Sequence, residues 1–303
     1  MKYVEGLVSV IMPTYKRSEK LIRAIDSVLN QTYSHLELLL INDNDPFDEY
    51  TEQLKIKLKH YANDDRLNLI IQDKHINGAV ARNTGIRLSK GQYIAFLDDD
   101  DWWELNKLEE QIKIFKCLDD SWGAVSCKFK FYDKNEKLIG KTVKYRDGYI
   151  YKDILNLVSD VATGTLLLRH DYFDKTRYFD EKLLRHQDLQ ILVDFTSKYK
   201  LKEVNQYLHC VDVSDTQNRP DSYKLVKYKK DFFKSIRPVM RLLSKSERKC
   251  VIAMHKYELG YVCIKNGEIY KGIEYCKALL GSHKACALAL KKTILKIVQS
   301  MKW

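Results

Sequence analysis

Two patterns of hydrophobic spacing take turns along the first hundred residues. Solid apolar runs rich in branched side chains fall at 7–12, 36–42, 66–72 and 92–98. Runs of this length, bounded by polar clusters, predict strands buried on both faces. Between them, in "SEKLIRAIDSVLNQ", "DEYTEQLKIKLKHYA" and "GAVARNTGIRLSKG", apolar residues recur every three or four positions. That period predicts helices with one buried stripe. Ser18 is the expected N-cap of the first helix, and Gly91 the expected close of the third. The resulting βαβαβαβ order predicts an α/β fold with a doubly wound, mainly parallel sheet.

Beyond residue 101 the alternation loosens. "AVSCKFKFYD" and "GTLLLR" read as strands, "KNEK" as a turn, and "DLQILVDFTSKYK" as a helix. From about Tyr223 onward nearly every segment has helical spacing, with a hairpin turn expected at Asn266-Gly267. The charge follows the same division. Residues 197–303 hold 23 Lys/Arg against 9 Asp/Glu, whereas residues 1–196 hold 29 against 32. The expected organisation is an α/β domain over 1–221, in two halves meeting near residue 101, and a basic C-terminal helical region over 222–303.

Composition narrows the classes. No apolar stretch reaches the roughly 18–20 residues of a spanning helix, and the first residues lack signal-peptide features. Seven widely spaced cysteines without a C-x-x-C pair do not read as a disulfide framework or a zinc site. A cytoplasmic location is expected. The basic third suits an anionic partner, yet it contains no nucleic-acid-binding module, so no nucleic acid is expected.

Open α/β sheets bind ligands beyond the carboxyl ends of their strands. Each of the four strands here is followed by a polar cluster: Pro13-Thr14-Tyr15, then residues 42–45, then 77–83, then the four aspartates 98–101. A G-x-G-x-x-G turn and a G-x-x-x-x-G-K-[ST] loop are both missing. Acidic residues at the fourth strand end suit Mn²⁺ or Mg²⁺, held by one or two carboxylates and by substrate phosphates. A carboxylate after the second strand can accept from a base N–H or a sugar hydroxyl. These are the ingredients of a nucleoside-diphosphate site with a bridging cation. Read alone, the acidic run equally suits the cap of a helix starting near Trp103, with Trp102 and Trp103 as packing residues.

Taken together, "VSVIMPTYKR", "LLLINDND", "NGAVARNTGI" and "YIAFLDDDDWW" resemble the nucleotide-binding half of an inverting glycosyltransferase of family 2, fold type A, over roughly residues 7–200. The resemblance implies a nucleotide-sugar half at 1–101 and an acceptor half at 102–221. It implies that Pro13, Thr14 and Tyr15 line the nucleoside pocket, that Asp43 contacts the base, and that Asn77 and Arg82 sit near the nucleotide. Asp98 would face ribose or metal and Asp100 the metal, with Asp99 also among the nucleotide-sugar contacts. "LLRHQDLQILVDF" resembles the late acidic motif and makes Asp188 the catalytic base. Gln187 stands where the family more often has a second acid, which leaves Asp188 as the only candidate at the motif, with Glu181 a distant reserve.

The implied donor is a nucleotide-diphosphate sugar, expected as a UDP-sugar, and the acceptor a glycan or lipid-linked oligosaccharide of a bacterial surface polysaccharide. The basic helices would then attach the protein peripherally to the anionic inner face of the membrane. His186 reads as a bystander. Arg169 is open between a phosphate contact and a surface salt bridge, and Arg219, in "DTQNRPDS", could close over the diphosphate. A nucleotidyltransferase or a non-catalytic nucleotide-sugar binder are the alternative readings. A processive synthase fits less well, since Gln217-Asn218-Arg219-Pro220 does not match Q-x-x-R-W.

Overall fold

Each solid apolar run becomes a strand in the computed structural model, which describes residues 3–16, 20–143, 146–214 and 221–300. Strands β1 (Val4–Thr14), β2 (Leu36–Asn42), β3 (Leu67–Ile71) and β4 (Gly91–Phe96) pair in parallel in the order β3-β2-β1-β4. Helices α1 (Leu21–Leu29), α2 (Glu49–Leu58) and α3 (Gly78–Leu88) connect them. Period-2 alternation sends Val8, Val10, Met12 and Leu36, Leu38, Leu40 into one core layer, against Leu21, Ile25 and Val28 of α1. Ile11, Leu39 and Ile41 enter the opposite layer, against Ala79, Ala81 and Ile86 of α3. That two-sided burial is why these strands read as solid runs.

Gly91 does not close α3, as its position suggested. The helix ends at Ser89, whose backbone is extended, and Gly91 opens β4. A Cβ on Gly91 would lie 2.5 Å from the Leu7 carbonyl oxygen and 2.8 Å from Ser9 N, so close strand pairing excludes a side chain there.

The sheet continues through short insertions. After β4 come β5 (Trp102–Trp103), α4 (Lys107–Phe115), β6 (Trp122–Tyr132), β7 (Leu138–Lys141), α5 (Tyr151–Leu155), β8 (Leu167–Arg169), α6 (Asp171–Lys175), α7 (Gln187–Thr196) and β9 (Lys200–Asp212). The order runs on as β4-β8-β6-β9-β5, with β7 beside β6. The long strands β6 and β9 are parallel to each other, while the three shortest strands, β5, β7 and β8, pair antiparallel with their neighbours. The sheet is therefore mixed, with its parallel character carried by the long strands. The next helix, α4, starts only at Lys107, with Asn106 and not an aspartate at its N-cap position. Asp101 accepts from Asp212 N (2.9 Å) and pairs with His209 (3.2 Å), which holds Trp102 and Trp103 along β9.

The C-terminal segments are helical throughout: α8 (Ser222–Ser235), α9 (Arg237–Met240), α10 (Lys245–Lys265), α11 (Ile269–Cys276) and α12 (His283–Ser300). Asp221 caps α8 by accepting from Lys224 N (2.7 Å), and Ser244 with Glu247 forms a capping box on α10. The hairpin turn falls where expected, with Gly267 at φ +84°. Phe232, Ile236, Val239, Leu243 and Val251 belong to the same core cluster as Ile11, Phe96 and Ile191, so one core crosses the 221/222 division. Ser18, residues 217–220 with Arg219, and Trp303 lie outside the described residues. All seven cysteines are free thiols. No helix among the described residues is long and apolar enough to cross a membrane.

Candidate active site

The carboxyl ends of β1, β2 and β4 and the start of α3 open into a cavity of about 730 Å³. Pro13, Thr14, Tyr15 and Asp43 line one part of it, Asn77 and Arg82 a second, and Asp98, Asp99 and Asp100 a third. All four polar clusters thus meet in one place. The parallel strands force this, because their carboxyl ends share one edge.

One end of the cavity is flat and aromatic. Tyr15 stacks on His75 with ring centroids 3.8 Å apart and planes 14° from parallel. Asp43 sits beneath, accepting from the Gln72 amide and lying 2.9 Å from His75 Nδ1. Burial raises the Asp43 pKa, and the His75 charge interaction and hydrogen bonds partly oppose that rise. A planar ring beside a buried acceptor can hold a nucleobase by stacking and one N–H contact.

The middle is built by the first turn of α3. Asn77 is its N-cap, accepting from Ala79 N (2.9 Å) and Val80 N (3.2 Å) and donating to the Glu181 carbonyl (3.0 Å). At Gly78 a Cβ would stand 2.9 Å from Arg82 Nη1, so glycine lets the guanidinium fold back over the helix start. Arg82 is buried and donates to Asp98 Oδ1 at 2.6 Å. Burial works against its charge, but Asp98, Asp188 and Asp99 outweigh it and raise the Arg82 pKa.

The four aspartates diverge. Asp98 faces Arg82, and Asp99 accepts from Thr14 Oγ1 (2.7 Å). Asp100 lines the cavity while its carbonyl accepts from Arg23 (3.0 Å). Asp101 turns away to β9, and its N–H closes a turn on the Asp98 carbonyl (3.1 Å). This is a turn that presents side chains, and no helix is capped by it.

Asp188 is the second residue of α7, preceded by His186 in the left-handed region at φ +64°. His186 occupies the N-cap position, so Asp188 is not the cap. Thr163 Oγ1 donates to its carboxylate at 3.4 Å. Asp188 is exposed at the surface of the first turn of α7, although protein crowds the space behind its carboxylate. That crowding raises its pKa, Arg82 opposes the rise and Asp98 adds to it. Asp98 and Asp188 therefore sit in one electrostatic unit around Arg82, although they come from β4 and α7.

Glu181 is otherwise engaged: it accepts from Asn83 (2.8 Å) and Arg87 (3.2 Å), and the Asn83 bond holds its pKa below the usual range. Arg169 forms a salt bridge to Asp120 (3.1 Å) and also donates to the Trp122 carbonyl (3.1 Å). Trp102 packs against Arg23 and Tyr132. The ring of His186 rests on Phe232, and burial depresses its pKa to about 3, so it is neutral.

Several lining residues were not singled out in the sequence: His75, Leu184, Arg185, Lys224 and Tyr228. Lys224 and Tyr228 come from α8, in the basic region, and their i,i+4 spacing puts both on one helix face. That spacing was the available signal. The donor set also bears on a cation. Among the described residues no group of three His, Cys, Asp or Glu side chains forms a metal cage. Asp98 and Asp100 offer hard oxygen atoms at one cavity wall, which fits a Mg²⁺ or Mn²⁺ completed by substrate phosphates.

Comparison with known proteins bears on the family and the fold. The putative colanic acid biosynthesis glycosyl transferase WcaA of Escherichia coli K12 is 30% identical over 227 residues, covering 67% of this chain and 72% of WcaA. The amylovoran biosynthesis glycosyltransferase AmsB of Erwinia amylovora is 27% identical over 193 residues, covering 61% of this chain and 62% of AmsB. The Escherichia coli UDP-Glc:alpha-D-GlcNAc-diphosphoundecaprenol beta-1,3-glucosyltransferase WfgD is 39% identical over 108 residues, 36% of this chain and 40% of WfgD. The chain thus spans less than two thirds of AmsB and of WfgD. Staphylococcus aureus TarS 1-349, solved with UDP-GlcNAc, superposes with a TM-score of 0.64 over 86% of this chain and 74% of that one. At 16% identity that likeness is one of fold. The Glycosyl transferase family 2 model matches residues 9–177, from within β1 to past α6, and this protein belongs to that family.

Proposed function

We propose that this protein transfers one sugar, with inversion, from a UDP-sugar to a hydroxyl of a glycan or lipid-linked acceptor in bacterial surface-polysaccharide synthesis. The observation that carries this reading is the pair of acidic centres, Asp98–Asp100 and Asp188, set on separate elements around Arg82. An inverting transfer needs both. The acceptor hydroxyl attacks the anomeric carbon from one face and loses its proton to a base, a contribution of roughly 10²–10⁴-fold. The nucleoside diphosphate leaves from the other face and develops negative charge.

Asp188 takes the proton; its raised pKa makes it a better acceptor than an ordinary aspartate. The Tyr15–His75 platform and Asp43 hold the base, while Arg82, Lys224 and Arg185 bring cationic groups to the cavity. A divalent cation bound with the donor, held by Asp98 and Asp100, would supply Lewis acidity to the leaving diphosphate. The names of relatives support the substrate classes: WfgD uses a UDP-sugar and a diphosphoundecaprenol acceptor, and TarS binds UDP-GlcNAc. The basic C-terminal region would keep the enzyme on the anionic cytoplasmic leaflet where such acceptors lie.

A panel of nucleotide-sugars, followed by nucleotide release with and without Mn²⁺, tests the assignment. Metal-dependent release from one donor, slowed roughly 10²–10⁴-fold in Asp188→Asn, is the expected result. Diphosphate release from a nucleoside triphosphate plus a sugar phosphate would replace it with a nucleotidyltransferase. Tight nucleotide-sugar binding without any turnover would make the protein a binding module.

A further inference from the structure

Helix α8 presents a second surface, separate from the active site. Lys224 and Tyr228 face the cavity, whereas Val226, Lys230 and Phe233 repeat at i, i+4 and i+7 on a face turned roughly opposite, and Arg237 opens α9 just beyond it. That second face borders a groove of about 820 Å³. Across it, α10 contributes Ile252, Lys256 and Leu259, again at helical spacing, and Tyr275 of α11 closes one side. The groove is comparable in size to the active-site cavity, and it is apolar where the cavity is polar.

Its rim has one sign of charge. Lys230, Lys234, Arg237 and Lys256 border it, all exposed, and among the described residues no acidic side chain lines it. Residues 222–265 carry twelve Lys/Arg against three Asp/Glu. Two of those acids are already engaged, Glu258 by the buried Lys229 and Glu247 by Lys152. Lys229 also contacts His255 (2.9 Å), so the polar groups at the floor are satisfied internally. An apolar trough under a ring of exposed cations is complementary to an amphiphile with an anionic head and a hydrocarbon chain.

We propose that this groove binds one anionic phospholipid of the membrane, its chain against Val226, Phe233, Met240 and Ile252 and its phosphate among Lys230, Lys234 and Arg237. The proposal rests on the reading of the basic helices as membrane-facing, and it places the lipid contact on α8–α10. The position matters for the reaction. The groove runs along α8 from its second turn, and the cavity meets the first two turns of the same helix. Lipid docking there would hold the cavity one helix diameter, roughly 10 Å, from the lipid contact.

The test uses the full chain and sedimentation with two vesicle types, phosphatidylcholine alone and phosphatidylcholine with 30% phosphatidylglycerol. The wild type should pellet with the anionic vesicles only. The triple variant Lys230→Glu/Lys234→Glu/Arg237→Glu should lose about tenfold or more of that binding, and Phe233→Ser, which keeps every charge, should also weaken it. UDP binding should be unchanged in both variants, which reports an intact fold. Failure of the wild type to bind anionic vesicles would overturn the membrane reading as a whole. Wild-type binding with no loss in either variant would overturn only the groove. A dimer in sedimentation velocity that Phe233→Ser dissociates would assign the groove to a second copy of the chain and overturn the lipid.

Discussion

The parallel half-sheet β1–β4 and the helical region α8–α12 fold under different constraints. In the first, β2 is buried at all seven positions, and its two polar residues are Glu37, near its start, and Asn42, at its end. In the second, large apolar residues remain at the surface: Ile252, Ile264, Ile269, Ile273 and Leu280 are all exposed, between lysines. The half-sheet buries its apolar residues and uses its loops for chemistry. The helical region contributes Phe232 and Ile236 to the common core and leaves a mixed apolar and cationic face outside. Chemistry therefore concentrates at one sheet edge, while the helices add a wall to the cavity and a surface for something else.

The strongest way to test that division is to remove the cation site. Asp100→Ala, or EDTA on the wild type, should reduce transfer to background while the melting temperature stays unchanged. Full turnover of the variant in chelator would return the aspartate run to a purely structural role.

Asp188→Asn comes next, with transfer slowed roughly 10²–10⁴-fold and donor affinity retained. Its pH profile sharpens the assignment. The base works only when ionised, so wild-type activity falls as pH drops through the Asp188 pKa. Because that pKa is raised, the loss should begin nearer neutrality than for an ordinary aspartate, and the acid limb should disappear in the variant. An unchanged rate on bound donor would make Asp188 structural.

Lys224→Ala asks whether the helical region belongs to the site at all. A donor KM raised about tenfold, the scale of one charged hydrogen bond, with unchanged stability would place α8 in the donor pocket. An unchanged KM would return Lys224 to the solvated surface. Truncation at residue 285 is a poorer probe, since Ala285 and Ala289 are buried against Met254 and Val158.

The smallest effect concerns the sheet beyond β4. Burial lifts Glu203 on β9 to about 7, above the usual value of 4.5. The fold thus favours the protonated form, and stability is lost as pH rises from about 4.5 through 7. Glu203→Gln, neutral throughout, should gain a few degrees in melting temperature at pH 8 and almost none at pH 5. A loss of stability at both values would show that the carboxylate is needed as an ion.

Periodicity alone located β1–β4, α1–α3 and the hairpin at Gly267, because strand and helix spacing and turn chemistry are local properties. The edge where four polar clusters meet was legible for the same reason: parallel strands leave no other place for their carboxyl ends. The short strands were not legible. Trp102-Trp103 is two residues long, and only its pairing with the distant Cys210 and His209 of β9 makes it a strand. Four adjacent aspartates look alike in a sequence. Their separation into an arginine partner, a threonine partner, a cavity wall and a structural anchor depends on Arg82, Thr14 and His209, residues 16, 85 and 108 positions away from their respective partners. The same holds for His75 under Tyr15 and for Lys224 at the cavity. Side-chain roles that depend on a neighbour brought close by folding are set by three-dimensional packing, and spacing along the chain carries no record of them.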